Sequence, residues 1–341
     1  MVRLKAGTKH AGFVMESGKG LPRQTVTLVG LNSSGQLGKF PSIDPNTGDI
    51  APPAWTHHSW ALPVGAIVHS LALGRQHSVA LVQDSTGSRQ IWTAGSNNFG
   101  QSLAPKPSLA SAWHPIPLPL HDVVQVATGY DHTVLLHADG TVSTSGWSTD
   151  GQTGQGHLHS FSPWLPLRSI LGKDIGRIVA GADHALAVAP GGDPVWSWGN
   201  SEYGQCMTGE GPVDRVPSPT RVKLPDDMAG RRVVDVACSA SASVLALADP
   251  ATEGARDLWY AGFEAPHGGK MALPASDIAR AGEWALVPTR NHYVALHTTR
   301  RVFMGRPESG WRVQFKVPDV GEKLKKVAIG TDFGLAVTEL Q

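Results

Sequence analysis

The chain has 341 residues and a formal net charge of +1, so its overall charge gives no reason to expect nucleic-acid binding. Its 39 Gly and 25 Pro, with 17% charged and 41% hydrophobic residues, favour short strands joined by turns over helical bundles. Two cysteines, Cys206 and Cys238, make no disulfide framework, which favours a reducing compartment. No apolar run reaches the length of a membrane span, and the first residues lack the apolar core of a secretory signal.

A unit of about fifty residues recurs along the chain. Its clearest copy, residues 129–154, holds two strand-like runs, a tight turn at Ala138-Asp139-Gly140 and a closing Gly-Gln. Alternating apolar and polar residues within VVQVA and VWSWG are typical of half-buried strands. The repeats are predicted at approximately residues 3–40, 67–104, 123–160, 175–210, 232–268, 278–311 and 324–341.

This periodicity predicts an all-β fold, a single seven-bladed β-propeller over residues 1–341, because stacked four-stranded blades bury faces that no single blade could bury. Six repeats have both halves and the seventh has only its first, so we expect six full blades and a half-blade at the seam between the ends of the chain. Either this is a processed or shortened form, or the seam presents an open strand edge that a partner strand could pair with.

The most regular side chains of the repeats are predicted to be structural. Turn glycines recur in the second half of five repeats, where a positive φ or a close backbone approach would select them. Histidines occupy one register of five repeats, and five copies around a ring cannot all be catalytic. We expect these imidazoles to hydrogen-bond backbone between neighbouring repeats. The two sets are Gly35, Gly100, Gly151 and Gly204, and His10, His77, His132, His184 and His292.

Positive charge is concentrated at the two ends of the chain, which ring closure would bring together. This basic seam is a candidate contact for RNA phosphates, anionic lipid or an acidic protein. Its predicted members are Arg3, Lys5, Lys9, Arg300, Arg301, Lys323, Lys325 and Lys326.

Sequence signatures of catalysis are not found. The chain contains no P-loop, G-x-S-x-G elbow, H-E-x-x-H or CxxC pair. The pairs His57-His58 and His157/His159 lack neighbouring Cys or paired carboxylates at ligand spacing, so no metal site is assigned. We therefore predict a chain that is not an enzyme, uses no cofactor and has no small-molecule substrate. Contacts with partners are expected on the long stretches 39–65, 208–230, 264–277 and 306–322, interpreted as loops.

The pattern h-x-x-G-x-x-H-(S/T)-x-x-h, followed by G-x-N-x-x-G-Q-L-G, resembles the regulator-of-chromosome-condensation repeat, a seven-bladed propeller. Residues 146–157 and 198–203, with the closing Trp311-Arg312-Val313 and 327–332, look most like the mitochondrial branch of that family. Repeat five and Phe333, which replaces His in repeat seven, depart from the pattern.

The resemblance implies an interaction scaffold with a protein partner and with RNA as a possible ligand. In the mitochondrial branch it would be an assembly factor for ribosomes or an inner-membrane respiratory complex, placed in the matrix or at the inner membrane. Two alternatives stay open. One is a guanine-nucleotide exchange factor for a small or dynamin-like GTPase, and the other is a cytoplasmic propeller that serves tRNA modification and diphthamide synthesis.

Overall fold

The structure is a computed structural model that describes most of the chain. The described residues are 3–17, 23–39, 44–49, 55–103, 110–116, 122–160, 162–248, 256–271, 284–289, 293–298, 301–306, 310–316, 322–331 and 334–340.

Twenty-six strands within these residues form seven antiparallel sheets, which are the blades of a propeller. Blade 1 contains β1 (Arg3–Ala6), β2 (His10–Ser17), β3 (Arg23–Gly30) and β4 (Thr56–Ala61). Blade 2 contains β5 (Ile67–Leu73), β6 (His77–Gln83), β7 (Arg89–Gly95) and β8 (Ala110–Ile116). Blade 3 contains β9 (Val123–Thr128), β10 (His132–His137), β11 (Val142–Gly146) and β12 (Ser162–Pro166). Blade 4 contains β13 (Arg177–Ala180), β14 (His184–Val188), β15 (Val195–Asn200) and β16 (Arg215–Arg221).

The remaining blades follow the same order. Blade 5 contains β17 (Arg232–Cys238), β18 (Ala242–Ala248), β19 (Arg256–Gly262) and β20 (Ala265–Met271). Blade 6 contains β21 (Trp284–Val287), β22 (Val294–Thr298), β23 (Arg301–Arg306) and β24 (Gly310–Lys316). Blade 7 contains β25 (Glu322–Ile329) and β26 (Gly334–Leu340). Two short 3-10 helices, Arg168–Ile170 and Asp226–Met228, lie between blades 3 and 4 and between blades 4 and 5.

The seven first strands form a closed ring. Each one contacts the first strand of the next blade, and β25 of blade 7 contacts β1 of blade 1. At this closure the Thr331 N–H donates to the Thr8 carbonyl over 3.2 Å, as Tyr130 donates to Ala182 between blades 3 and 4. The predicted seven-bladed propeller is confirmed, and in the described part of the chain six blades have four strands and the seventh has two.

The four stretches interpreted as loops each contain the outermost strand of a blade, so that interpretation was wrong. They hold β4, β16, β20 and β24, in the stretches 39–65, 208–230, 264–277 and 306–322. The outer strands are more exposed than the inner ones: β4 alternates between exposed and half-buried residues and β16 has one buried residue, whereas all five residues of β14 are buried. A strand that buries so little apolar surface lacks the apolar run that would indicate a strand in the sequence.

The hydrophobic core lies between blades. Each of the six apolar clusters found in the described residues takes its members from two neighbouring blades, as in the cluster of Val14 and Leu28 of blade 1 with Leu71 and Ala80 of blade 2. Burial of apolar area between sheets is the main favourable term, at ~25 cal/mol per Å². No helix within the described residues is long and apolar enough to span a membrane.

Candidate interaction face

Two sets of connections lie at the same end of the propeller: the turn between the first and second strands of each blade and the loop after its third strand. We call this end the loop face. In five blades the loop donates a backbone hydrogen bond to the turn, with lengths of 2.7–3.3 Å. These bonds are Leu31 to Lys9, Ser96 to Gln76, Trp147 to Asp131, Asn200 to Asp183 and Phe263 to Ser241.

Just beneath the loop face, three of the repeated histidines join neighbouring blades. His10, His77, His132 and His184 are fully buried. Nε2 of His10 lies 2.9 Å from Ser78 Oγ, that of His77 lies 3.1 Å from Thr133 Oγ1, and that of His184 lies 3.0 Å from Ser243 Oγ. Each partner belongs to the next blade, which agrees with an inter-repeat role. The partner of Nε2 in these three contacts is a side-chain hydroxyl. His292 lies outside the described residues.

For two of these histidines, the hydroxyl group also donates a hydrogen bond to a carbonyl of the histidine's own blade. Ser78 Oγ donates to the Gln36 carbonyl over 2.8 Å, and Thr133 Oγ1 donates to the Gln101 carbonyl over 2.6 Å. Because a hydroxyl has one proton to donate, its oxygen must accept from the imidazole, which assigns the Nε2–H tautomer to His10 and His77. Ser78, Thr133 and Ser243, which share the position after the histidine of the repeat, therefore bind the histidine of the preceding blade.

Two different steric constraints explain why glycine occupies two positions of the repeat. Gly35, Gly100, Gly151 and Gly204 adopt φ of 76°, 85°, 81° and 72°, so the prediction of left-handed turns is confirmed. The glycines three residues before the histidines do not need a positive φ. They lie under the imidazole, where a Cβ at Gly74, Gly129 or Gly181 would collide with the ring of His77, His132 or His184.

The predicted basic seam lies where blade 7 meets blade 1. Lys5 on β1 and Lys9 in the following turn are exposed, whereas Arg301 is half-buried at the start of β23. The backbone of β25 places Lys323, Lys325 and Lys326 on the strand beside β1. Arg300 and the side chains of Arg3, Lys323, Lys325 and Lys326 lie outside the described residues, so the seam stays a prediction.

The centre of the loop face carries carboxylates that sequence reasoning missed. Asp131 of blade 3 is only 6% exposed, and one of its oxygens pairs with the guanidinium of Arg75 from blade 2. Arg75 also lies over the Tyr130 ring, 5.9 Å from its centroid. Asp183 of blade 4 accepts a hydrogen bond of 3.2 Å from Gln152 Nε2 of blade 3. Both aspartates immediately precede the repeated histidine, a position occupied by Lys9 and Gln76 in blades 1 and 2.

Burial raises the pKa of both aspartates. For Asp131, loss of solvation outweighs the opposing effect of Arg75. For Asp183, loss of solvation is again the largest cause, the Gln152 hydrogen bond opposes it, and the charges of Asp131 and Asp150 raise the pKa further. The centre of the face therefore holds carboxylates that are costly to ionise and that an incoming cation would stabilise.

Aromatic pairs in the loops of the loop face bridge neighbouring blades. The rings of Phe99 and Trp147 meet edge to face with centroids 4.5 Å apart, and those of Tyr203 and Phe263 do so at 5.3 Å. Phe263 is 45% exposed. Partly exposed aromatic rings beside charged groups are typical of the central part of protein–protein interfaces.

The two histidine pairs differ in geometry. His57 and His58 are consecutive residues of β4, so their side chains leave opposite faces of the strand. His157 and His159 stack with ring centroids 4.4 Å apart, and loss of solvation lowers the pKa of His157. Among the described residues, no group of three or more His, Cys, Asp or Glu side chains could hold a metal ion.

Comparison with known proteins agrees with this architecture. The profile of the regulator of chromosome condensation (RCC1) repeat matches residues 193–246, and a second profile of the same repeat matches residues 123–152 and 177–205. The human RCC1-like G exchanging factor-like protein is 31% identical over 202 residues, which cover 56% of this chain and 42% of the relative. The chain therefore matches less than half the length of this relative.

Two further similarities point the same way. The mitochondrial RCC1 domain-containing protein RUG3 of Arabidopsis thaliana is 27% identical over 171 residues, covering 49% of this chain and 36% of the relative. The crystal structure of human WBSCR16 superposes with a TM-score of 0.73 and 21% identity, covering 99% of this chain and 87% of the other. The fold is thus a seven-bladed β-propeller. The residues that the two profiles match carry RCC1 repeats, as their glycines and histidines predicted.

Proposed function

We propose that this chain is a non-enzymatic scaffold whose loop face binds a protein partner that presents basic side chains. The observation that carries the proposal is the pair of aspartates, Asp131 and Asp183, at the centre of the face. Their ionised forms are destabilised by burial, and a lysine or arginine from a partner would relieve that cost. The aromatic rings of the loop face supply apolar area of the kind that anchors interfaces.

The experiment replaces the charge and keeps the shape. Asp131→Asn and Asp183→Asn, singly and together, are compared with the wild type in quantitative affinity capture from mitochondrial and cytosolic extracts. Asp193→Asn is the matched control, because Asp193 is exposed, pairs with Arg221 and lies in the turn at the opposite end of β15. Partners lost by the double variant and kept by the control support the proposal. Partners captured equally by all variants refute it.

The finer assignment is an assembly factor of mitochondria, acting on ribosomes or RNA or on an inner-membrane complex. Its support is the resemblance of the repeats and the similarity to a relative whose name places it in mitochondria. Imaging of the tagged chain, with subfractionation into matrix and membranes, tests this location. A cytoplasmic signal would favour the alternative role in tRNA modification and diphthamide synthesis.

A guanine-nucleotide exchange factor is the second candidate, and the name of the human relative favours it. Exchange needs only a surface that binds the nucleotide-free GTPase better than the loaded one, which a propeller face can provide without catalytic chemistry. Release of a fluorescent GDP analogue from GTPases captured on the loop face decides between the two. Faster nucleotide release that Asp131→Asn and Asp183→Asn abolish would establish exchange. A release rate that the chain does not change would favour the scaffold function.

A further inference from the structure

The wedge between blades 4 and 5 contains a cavity of about 370 Å³, which we call the blade 4–5 pocket. Its walls come from the segment after β15, from the residues that follow β16, and from β19 and β20. The lining residues that matter here are Met207, Thr208, Lys223, Pro225, Trp259 and His267. This volume lies within the range of about 300–1,000 Å³ that is typical of small-molecule sites.

The pocket exists because a large side chain of the preceding wedge has no counterpart here. Between blades 3 and 4 the indole of Trp198 is fully buried and donates to the Gln152 carbonyl over 3.0 Å. The corresponding residue of β19 is Ala261, which lines the pocket. Met207 stands where the preceding wedge has Gly154, whose Cα lies against the Trp198 ring. The longer methionine replaces only part of the missing indole.

Met207 holds an unusual backbone conformation at the pocket wall. Its φ is 52°, and Gly154 at the matching position has φ of 66°. Glycine adopts this left-handed region freely, whereas another residue there costs of order 1–2 kcal/mol. Leu103 holds the same position in blade 2 with φ of 63°, so this conformation belongs to the repeat and is not particular to the pocket.

A polar group without a partner lies next to Met207. Thr208 is 6% exposed and lines the pocket, and its Oγ1 makes no hydrogen bond with any residue that the structure describes. A buried hydroxyl left unsatisfied costs about 1–3 kcal/mol. A ligand atom that accepts from or donates to Thr208 would remove that cost.

The entrance of the pocket carries positive charge. The alkyl chain of Lys223 lies beside Gly209, where a Cβ would be 2.9 Å from its Cδ. Within the described part of the chain no carboxylate pairs with Lys223, whereas the neighbouring Lys270 is neutralised by Asp227 at 2.6 Å. His267 lies across the entrance against Gly211. The Trp259 indole and Pro225 supply apolar walls.

We propose that the blade 4–5 pocket binds a small organic anion in which a ring is joined to a carboxylate. The ring would lie between Trp259 and Pro225, and the carboxylate would accept from Thr208 and pair with Lys223. This inference does not depend on the loop face or on any partner bound there. It also departs from the expectation that the chain has no small-molecule ligand.

The test uses phenylacetate as the probe and phenylacetamide as its neutral counterpart of the same shape. Saturation-transfer NMR and titration of protein amide signals measure both. The pocket should bind phenylacetate, a ligand of small size, with a dissociation constant on the order of 1 mM. Phenylacetamide should bind at least about threefold more weakly, because it lacks the charge that pairs with Lys223.

Variants locate the binding. Lys223→Met keeps the alkyl chain. It should weaken the binding of phenylacetate by about three- to tenfold and leave the binding of phenylacetamide unchanged. Arg221→Met removes the same charge two residues away, outside the pocket, and should change neither. Ala261→Phe fills the wedge and should abolish binding of both probes, with a thermal unfolding curve to show that it folds.

Several results would overturn the proposal. One is the absence of phenylacetate binding up to about 10 mM, ten times the expected dissociation constant. Another is equal affinity for phenylacetate and phenylacetamide. Phenylacetate binding that persists in Ala261→Phe, or that is unchanged in Lys223→Met, would also overturn the proposal. Capture of the ring and carboxylate only as part of an acidic peptide would assign the pocket to a protein partner instead.

Discussion

Thr133→Val tests the hydroxyl relay between blades 2 and 3. The Thr133 side chain is fully buried, accepts from His77 Nε2 at 3.1 Å and donates to the Gln101 carbonyl at 2.6 Å. Valine has nearly the same shape and lacks the hydroxyl. The variant therefore removes two hydrogen bonds and keeps the packing, so its effect reports the relay alone.

The expected loss can be worked out from these two bonds. Each buried polar group that loses its partner costs about 1–3 kcal/mol, so the free energy of unfolding should fall by about 3 kcal/mol. Unfolding entropy of ~2.1 cal/mol/K per residue gives ~0.7 kcal/mol/K for 341 residues. The melting temperature should then fall by about 4 °C. Urea unfolding followed by circular dichroism measures the free energy, and calorimetry measures the melting temperature.

Thr220→Val is the matched control, because Thr220 is exposed on the outer strand β16 and should change the free energy by no more than about 0.5 kcal/mol. A double-mutant cycle with His77→Ala isolates the pair. A Thr133→Val variant as stable as the control would refute the relay, and so would independent, additive effects of the two substitutions.

The remaining predictions concern a glycine, a tryptophan and an aspartate. Gly129→Ala should lower the free energy of unfolding by about 2 kcal/mol or more by overpacking His132, and Gly191→Ala, which meets nothing within 4 Å, should not. Trp198→Ala should lower it by about 3–5 kcal/mol by emptying the wedge between blades 3 and 4, whereas the exposed Trp55→Ala should not. Both sets are read from urea midpoints. The folded-state pKa of Asp183 is raised, so its protonated form favours the folded state and its contribution to stability falls as pH rises above about 4. Asp183→Asn should remove that dependence and stabilise the protein at pH 7, and parallel pH profiles of unfolding for variant and wild type would contradict it.

The ring could be predicted from the sequence because its residues repeat. Where Ala242 and Phe333 replace the histidine, the following repeats have Tyr293 and Ala11 in place of the small hydroxyl residue. Donor and acceptor sites are thus lost together in these two pairs, whereas His132 is kept although the next repeat has Ala185 at the hydroxyl position. Ser239 replaces the glycine in the repeat where Ala242 replaces the histidine, so no imidazole excludes its Cβ.

The outer strands and the acidic centre could not be predicted in the same way. Pairing with only one neighbouring strand and exposure to solvent let β4 and β16 vary in sequence without loss of the core, so they gave no repeated signal. The residue before each histidine differs between blades, as Lys9, Gln76, Asp131 and Asp183 show. Comparison of the repeats identifies residues that the blades share, and the residue before the histidine is not one of them. That Asp131 and Asp183 lie close together becomes visible only when the blades are placed around the ring.

The repeated histidine and the residue before it are therefore under different structural constraints. The histidine points between blades, where it meets a hydroxyl partner in three repeats, while the residue before it lies on the loop face and is free to differ. Asp183 occupies that second position at a cost, because its burial disfavours the ionised form that a cationic partner would meet. Natural sequences tend to retain a destabilising charge where activity needs it, since selection on stability alone would remove it. The stability and the binding of Asp183→Asn should accordingly move in opposite directions. A variant that gains stability and keeps every partner would show that this carboxylate has no role in recognition.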